Sequence, residues 1–233
     1  MTFLTNHDKE YIAEVILGIE TDTLDTDSNA TILQDITVNV DKEKIIKTIK
    51  SFKKKYMQEV PLYSSVKVNG RKLYEYARSK TPVKLPKKEV EIFDIIPYGD
   101  IDYHDGKIIF SIKTTVSKGT YIRSLVRDIG NALGVPAVLN KLERTRIGNF
   151  KLEDSYNLDD IKNNNFELID ITHALPNIPK IVVDDKLSFK IKNGVILDKF
   201  FDSEMAFLID NNENLLAIYI NESNKARPYK MFV

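Results

Sequence analysis

Ser117-Lys118-Gly119-Thr120-Tyr121-Ile122-Arg123-Ser124-Leu125 is the stretch whose reading decides the fold. An apolar run, Ile108, Phe110 and Ile112 on one face, leads into it as a strand over 107–116. Behind it Ile122, Leu125, Val126, Ile129 and Leu133 repeat at helical spacing. Gly134 is the natural helix stop, with Pro136 just beyond. The junction thus carries a turn glycine, a hydroxyl at a helix start, and a tyrosine and an arginine two positions apart. Such a strand-to-helix turn can offer backbone N–H groups and a fixed guanidinium to an anion or a carboxylate. Arg123 on the first turn either covers packing at the surface or pairs with such a group.

Working outward, residues 10–19 read as a strand rich in β-formers, with Tyr11 at its start. Asp22, Asp25 and Asp27 follow in what reads as a solvated polar turn, since the glycine and spacing of a calcium loop are missing. Residues 41–53 read as a helix capped by Asp41, with Ile45, Ile46, Ile49 and Phe52 on one stripe. Pro61 breaks the helix, Val66 and Val68 lead to an Asn69-Gly70 turn, and a helix resumes over Leu73–Ser79. Residues 89–98 form a strand, 100–106 a turn, and 139–150 a helix end leading into a strand. Residues 151–180 are a connector with short helical turns. Residues 181–233 read as short strands with polar turns, a small β module.

Composition narrows the function. The net charge of zero hides a segregation: residues 1–41 carry −8, 42–88 carry +12, 89–150 are balanced and 151–233 carry −4. In the basic segment Tyr63, Lys67, Arg71, Lys72, Tyr74, Tyr76 and Arg78 interleave cations with aromatic rings. Cations suit phosphates and rings suit unstacked bases; equally, the tyrosines could pack a core beneath solvated lysines. Cysteine is absent, which excludes disulfides, thiolate metal sites and thiol nucleophiles and fits a reducing compartment. No apolar run is long enough to span a membrane. His7, His104 and His173 have no metal-ligand spacing and read as surface residues; no phosphate loop, nucleophile elbow or HExxH occurs.

At Ser117–Leu125 the sequence resembles the TruB-type tRNA pseudouridine synthases, which isomerise the T-loop uridine 55 of tRNA. The likeness runs through Asp8-Lys9-Glu10-Tyr11, Gly18–Asp27, Gln58–Arg78 and Leu142-Glu143-Arg144-Thr145-Arg146-Ile147-Gly148, so it covers essentially the whole chain. It implies an α+β pseudouridine-synthase core, with a mixed, mainly antiparallel sheet and flanking helices, over residues 1–178. An RNA-clasping insertion would occupy 56–90, and a small PUA-like β domain 179–233. Tyr11 would stack on the flipped uracil and could act as base at C5. Arg123 would pair with the catalytic aspartate, and Tyr121 and Leu142 would line the pocket. Lys67, Arg71, Lys72, Tyr74, Arg78, Lys118 and Arg144 would hold RNA. The resemblance further implies no cofactor, no metal, no membrane, a T-arm partner, a monomer and a cytoplasmic setting.

Several positions depart from the family pattern. Lys54, Val60 and Ser65 stand where glycine, proline and alanine are common. More consequentially, the family's nucleophilic aspartate lies in a segment containing Gly-His, a Gly, then Leu-Asp-Pro, and no such motif occurs in this sequence. Asp8, Asp22, Asp25 and Asp27 match other positions. The chain therefore reads as an N-terminally incomplete synthase, from a truncated or split reading frame or a deliberate cut, and inactive in isolation. The rivals are a non-catalytic tRNA-binding or tRNA-folding protein and a fragment that does not fold alone. On this reading Arg123 is expected unpaired, or paired with an incidental acid; a buried pair with a carboxylate of this chain would count against truncation.

Overall fold

The computed structural model describes residues 7–33 and 40–232, with the backbone alone over 30–33. It divides into two compact units, Met1–Ser155 and Tyr156–Val233.

The first unit is built on a six-stranded antiparallel sheet. Its strands are β1 (Lys9–Leu17), β4 (Lys55–Glu59), β7 (Lys87–His104), β8 (Lys107–Val116), β9 (Ala137–Ile147) and β10 (Phe150–Lys151), in the order β10-β9-β1-β8-β7-β4. Tyr11 on central β1 lies opposite Thr114 of β8 and Arg144 of β9, and Ala13 lies opposite Leu142. Side chains alternate across a strand. Tyr11 therefore shares a face with Ala13, Val15 and Leu17, which are fully buried. That face is covered by helices α1 (Lys42–Ser51) and α3 (Ile122–Leu133). One apolar core joins Val15, Leu17, Phe110 and Ile112 of the sheet to Ile45 and Ile49 of α1 and to Leu125, Val126 and Ile129 of α3. Each such fully buried side chain contributes about 1.5–3 kcal/mol over an exposed one. The opposite face carries a ladder of opposite charges, Lys113 with Glu10 and Lys141 with Glu14.

Helix α3 starts and stops where the spacing predicts. Its C-cap, Gly134, sits at φ 80°, the left-handed conformation that glycine reaches without a Cβ penalty. Gly130 lets the helix lie close to β9, since a Cβ there would fall 2.5 Å from that of Ala137. Three expectations are corrected. Residues 137–147 form one continuous strand with no helical end, because the whole segment pairs with β1. The strand expected over 89–98 runs on to His104, so the turn shrinks to Asp105-Gly106, both at positive φ.

The third correction lies in the second unit. Its five-stranded sheet, order β11-β13-β14-β15-β12, comprises β11 (Lys180–Val182), β12 (Leu197–Asp198), β13 (Met205–Ile209), β14 (Leu215–Glu222) and β15 (Lys225–Met231). Only the β11–β13 pairing is parallel. Residues 185–192, expected among the strands and turns, form an α-helix whose N-cap Asp184 accepts the Leu187 N–H; Ser188 and Ile191 are its buried residues. The short helical turns expected in the connector occur at Leu158–Lys162 and Ile171–Ala174. The hairpin over 211–214 joins β13 to β14, while Val233, the last residue of the expected β module, lies outside the described residues. The mixed α+β class with a C-terminal β module is what the structure shows.

Candidate active site and RNA-facing clasp

Arg123 is the hub of the first unit. Its Nη1 donates to the Thr23 carbonyl at 2.8 Å and to Asp25 Oδ2 at 3.0 Å, and its Nη2 donates to the Tyr63 carbonyl at 2.9 Å. One guanidinium thus ties together three segments distant in sequence: the loop after β2 (Ile19–Thr21), the segment after β4, and helix α3. Three of its five N–H donors have acceptors among the described residues, which leaves two for a ligand. Both side chains of the ion pair are largely buried, Arg123 at 26% exposure and Asp25 at 18%. Arg123 is therefore neutralised within the chain and gives no argument for an absent partner.

Asp22 and Asp27 are exposed in a turn as expected, but Asp25 departs from the reading of a solvated turn. Its Oδ1 accepts the Thr23 hydroxyl and the Asp27 N–H, and its Oδ2 takes Arg123. The loop is pinned to β9 by paired backbone bonds, Leu139 N–H to Leu24 and Thr26 N–H to Leu139, and by the Thr26 hydroxyl on Asn140. With Oδ1 held by Thr23 and Asp27 and Oδ2 by Arg123, Asp25 acts as a strut between the loop and α3. The signal available in the sequence was three aspartates with alternating threonines. It matches a local side-chain-to-backbone turn as well as solvation.

The strand-to-helix turn differs from expectation in one respect. Thr120 does not cap α3; its hydroxyl donates back to the Ser117 carbonyl at 2.9 Å. The N-cap is Tyr121, without a side-chain cap bond, and its own N–H is taken by Gln58 Oε1 at 2.9 Å. The anion-binding potential of the turn therefore narrows toward Arg123. The Tyr121 ring packs against the small core of Val60, Leu73 and Tyr76. Tyr11 is partly buried against the main core. Leu142, 46% exposed, lies on β9 opposite Ala13.

The segment between β4 and β7 forms a clasp: a hairpin of β5 (Lys67–Val68) and β6 (Arg71–Lys72), then helix α2 (Leu73–Arg78). Its turn residues, Asn69 and Gly70, both have positive φ, as a two-residue hairpin requires. The tyrosines divide between the two sequence readings. Tyr76 is buried and its hydroxyl donates to the Val68 carbonyl, so it is core. Tyr74 is partly exposed, with Lys72 Nζ 5.5 Å and the Arg78 guanidinium 5.3 Å from its ring centre, and Arg71 stacks on Tyr76 at 4.6 Å. The rings thus organise the cations. Lys67, Arg71 and Arg78 are exposed.

A second group of cations surrounds the turn. The Lys88 ammonium reaches the Lys118 carbonyl at 3.4 Å and lies against Gly119. Burial and the charges of Arg144 and Lys118 push the Lys9 ammonium below its ordinary value. Lys118 and Arg144 are exposed. A cleft of about 570 Å³ lies elsewhere, on the sheet face away from Tyr11. Its cations Lys113, Arg146 and Lys151 are paired with Glu10, Asp8 and Glu153, so it offers no unspent charge. Among the described residues no helix is long and apolar enough to cross a membrane, and no group of three acids or histidines could hold a metal.

The antiparallel sheet with helices over one face and a basic clasp beside it has counterparts among solved structures. They include a Cbf5-Nop10-Gar1 complex (TM-score 0.63, 21% identity) and an H/ACA RNP bound to a substrate RNA containing 2'-deoxyuridine (TM-score 0.62, 19% identity). Each is covered over 100% of this chain and 68% of the other. Residues 1–122 match the TruB family pseudouridylate synthase N-terminal domain, and residues 123–171 the tRNA pseudouridylate synthase B C-terminal domain. The tRNA pseudouridine synthase B of Bacillus cytotoxicus is 38% identical over 97% of this chain and 76% of its own length; that of Staphylococcus aureus (strain MRSA252) is 36% identical over 96% and 79%. The chain belongs to the TruB family of pseudouridylate synthases.

Proposed function

We propose that the chain acts on tRNA, recognising the T arm and addressing the T-loop uridine at position 55. The observation that carries this is the placement of Arg123, bonded at once to the Asp25 loop and to the Tyr63 carbonyl of the clasp. A target uridine inside a folded loop must leave its stack to be reached, and an aromatic face is the natural receiver. Tyr11 supplies that face, with Leu142 and Tyr121 enclosing the base. Lys67, Arg71, Lys72, Tyr74 and Arg78 grip the stem, while Lys118 and Arg144 meet phosphates beside the target. The remaining N–H donors of Arg123 meet a uridine oxygen.

Isomerisation requires a carboxylate free to attack the glycosidic carbon. The carboxylate at Arg123 is Asp25, and both its oxygens are engaged. The sequence contains no Leu-Asp-Pro motif. On this reading the chain by itself binds the T arm without turning it over. The same observation supports the second reading, a tRNA-binding protein that retains the clasp without the chemistry. Incubation of the purified chain with a T-arm hairpin, scoring both binding and pseudouridine, tests both statements.

A further inference from the structure

Gln58 on β4 is 1% exposed, one of the few buried polar side chains in the first unit. An amide there must satisfy its oxygen and nitrogen or lose about 1–3 kcal/mol. Gln58 does so in one direction. Its Oε1 accepts the Tyr121 N–H at 2.9 Å, and its Nε2 donates to the Tyr56 hydroxyl at 2.8 Å, which donates to Asp128 Oδ2 at 3.1 Å. Asp128 is held by Arg127 Nε at 3.0 Å and Nη2 at 2.8 Å. A parallel tie runs from the Ser124 hydroxyl to the Glu59 carbonyl at 2.8 Å. Strand β4, the root of the clasp, is thereby clipped along the first two turns of α3.

The Tyr121 N–H lies at the N-cap, two residues before Arg123, and has no local capping side chain. Gln58 fills that role from another element. We infer that Gln58 is a positioning residue: it fixes the Tyr121–Arg123 turn against the foot of the clasp, so that an RNA stem held by the clasp places its loop in register with the pocket. The side-chain hydrogen bonds of Gln58 go to Tyr56 and the Tyr121 N–H, neither of them Arg123 or a clasp cation. Gln58 acts through the backbone that carries Tyr121 and through the strand that carries the clasp. Without the Oε1 contact the helix N-terminus can move relative to β4 while stem contacts persist, and the loss falls on loop recognition.

The inference rests on the T-arm reading, and the test separates the two. The full chain and its variants are titrated with a T-arm hairpin and with the same stem closed by an unrelated loop; melting and amide exchange at Tyr121 are followed in parallel. Gln58→Met removes both amide bonds at nearly constant volume. It is expected to lower the preference for the T loop about tenfold and to speed Tyr121 exchange, with stem affinity unchanged. Gln58→Asn keeps the amide but falls one methylene short; it should shift the same way by less and serves if Gln58→Met does not fold. Tyr56→Phe cuts the network on its far side and leaves the Tyr121 bond. It should lower the melting temperature while keeping the loop preference. Undiminished preference in folded Gln58→Met or Gln58→Asn overturns the inference, as does an equal loss in Tyr56→Phe, which would make the network a general scaffold. No loop preference in the unmodified chain overturns the T-arm reading and this inference with it.

Discussion

Asp25 Oδ2 and Arg123 Nη1 lie 3.0 Å apart, across 98 residues of sequence, while Asp25 Oδ1 is held by Thr23 and Asp27. The pair is largely withdrawn from water, so removing one partner strands the other. Asp25→Asn is expected to cost about 1–3 kcal/mol in urea unfolding. A double-mutant cycle with Arg123→Gln should recover a coupling of about 1 kcal/mol or more. Simple additivity would show that the pair is no more than a surface contact.

How much of this was legible beforehand depended on where each signal resides. Helix α3, the Asn69-Gly70 hairpin and strand β1 write their signal locally, as apolar period or turn chemistry, and were readable. The resemblance named Tyr11, Tyr121, Arg123 and Leu142, but nothing local in them said what they would touch. Asp25 and Gln58 were missed as struts because their partners lie 98 and 63 residues away. Helix 185–192 was missed because its inward residues, Leu187, Ser188 and Ile191, make a short stripe broken by a polar residue. Strand β9 was misjudged at its start, where pairing with β1 overrides local preference.

Packing at α3 gives a second prediction. A Cβ on Gly130 would sit 2.5 Å from Ala137 Cβ and 2.8 Å from the Val135 carbonyl, both on fixed backbone. Gly130→Ala gains helix propensity of about 1 kcal/mol but forces the helix off β9 at about 1–3 kcal/mol. A lower melting temperature is expected; a rise would mean the helix shifts without cost.

The acid dependence of stability should carry the mark of Asp128. Burial raises its carboxyl above the ordinary value, more than Arg127 and the Tyr56 hydroxyl lower it. Above a pH of about 4 the unfolded chain has released this proton while the folded chain still holds it. Stability therefore falls as pH rises toward the folded value. Asp128→Asn lacks this dependence, so the stability advantage of the unmodified chain over the variant should shrink as pH rises from about 4. An advantage that grows with pH would reverse the assignment.

On the clasp, Lys72 stands over the Tyr74 ring. Lys72→Ala should weaken T-arm binding and reduce the salt slope of log K by about 0.7–0.9, the signature of one phosphate contact. An unchanged slope removes Lys72 from the RNA surface.

The central proposal is that the chain grips the T arm with a braced Arg123, and that the carboxylate paired with that arginine, Asp25, is engaged as a strut and does not attack the uridine. It is tested most directly by incubating the purified chain with a T-arm hairpin and measuring bound RNA and pseudouridine in the same samples. The account predicts salt-sensitive binding with no pseudouridine. Pseudouridine formed in proportion to the chain would contradict it, because some carboxylate other than the committed Asp25 would then be doing the chemistry.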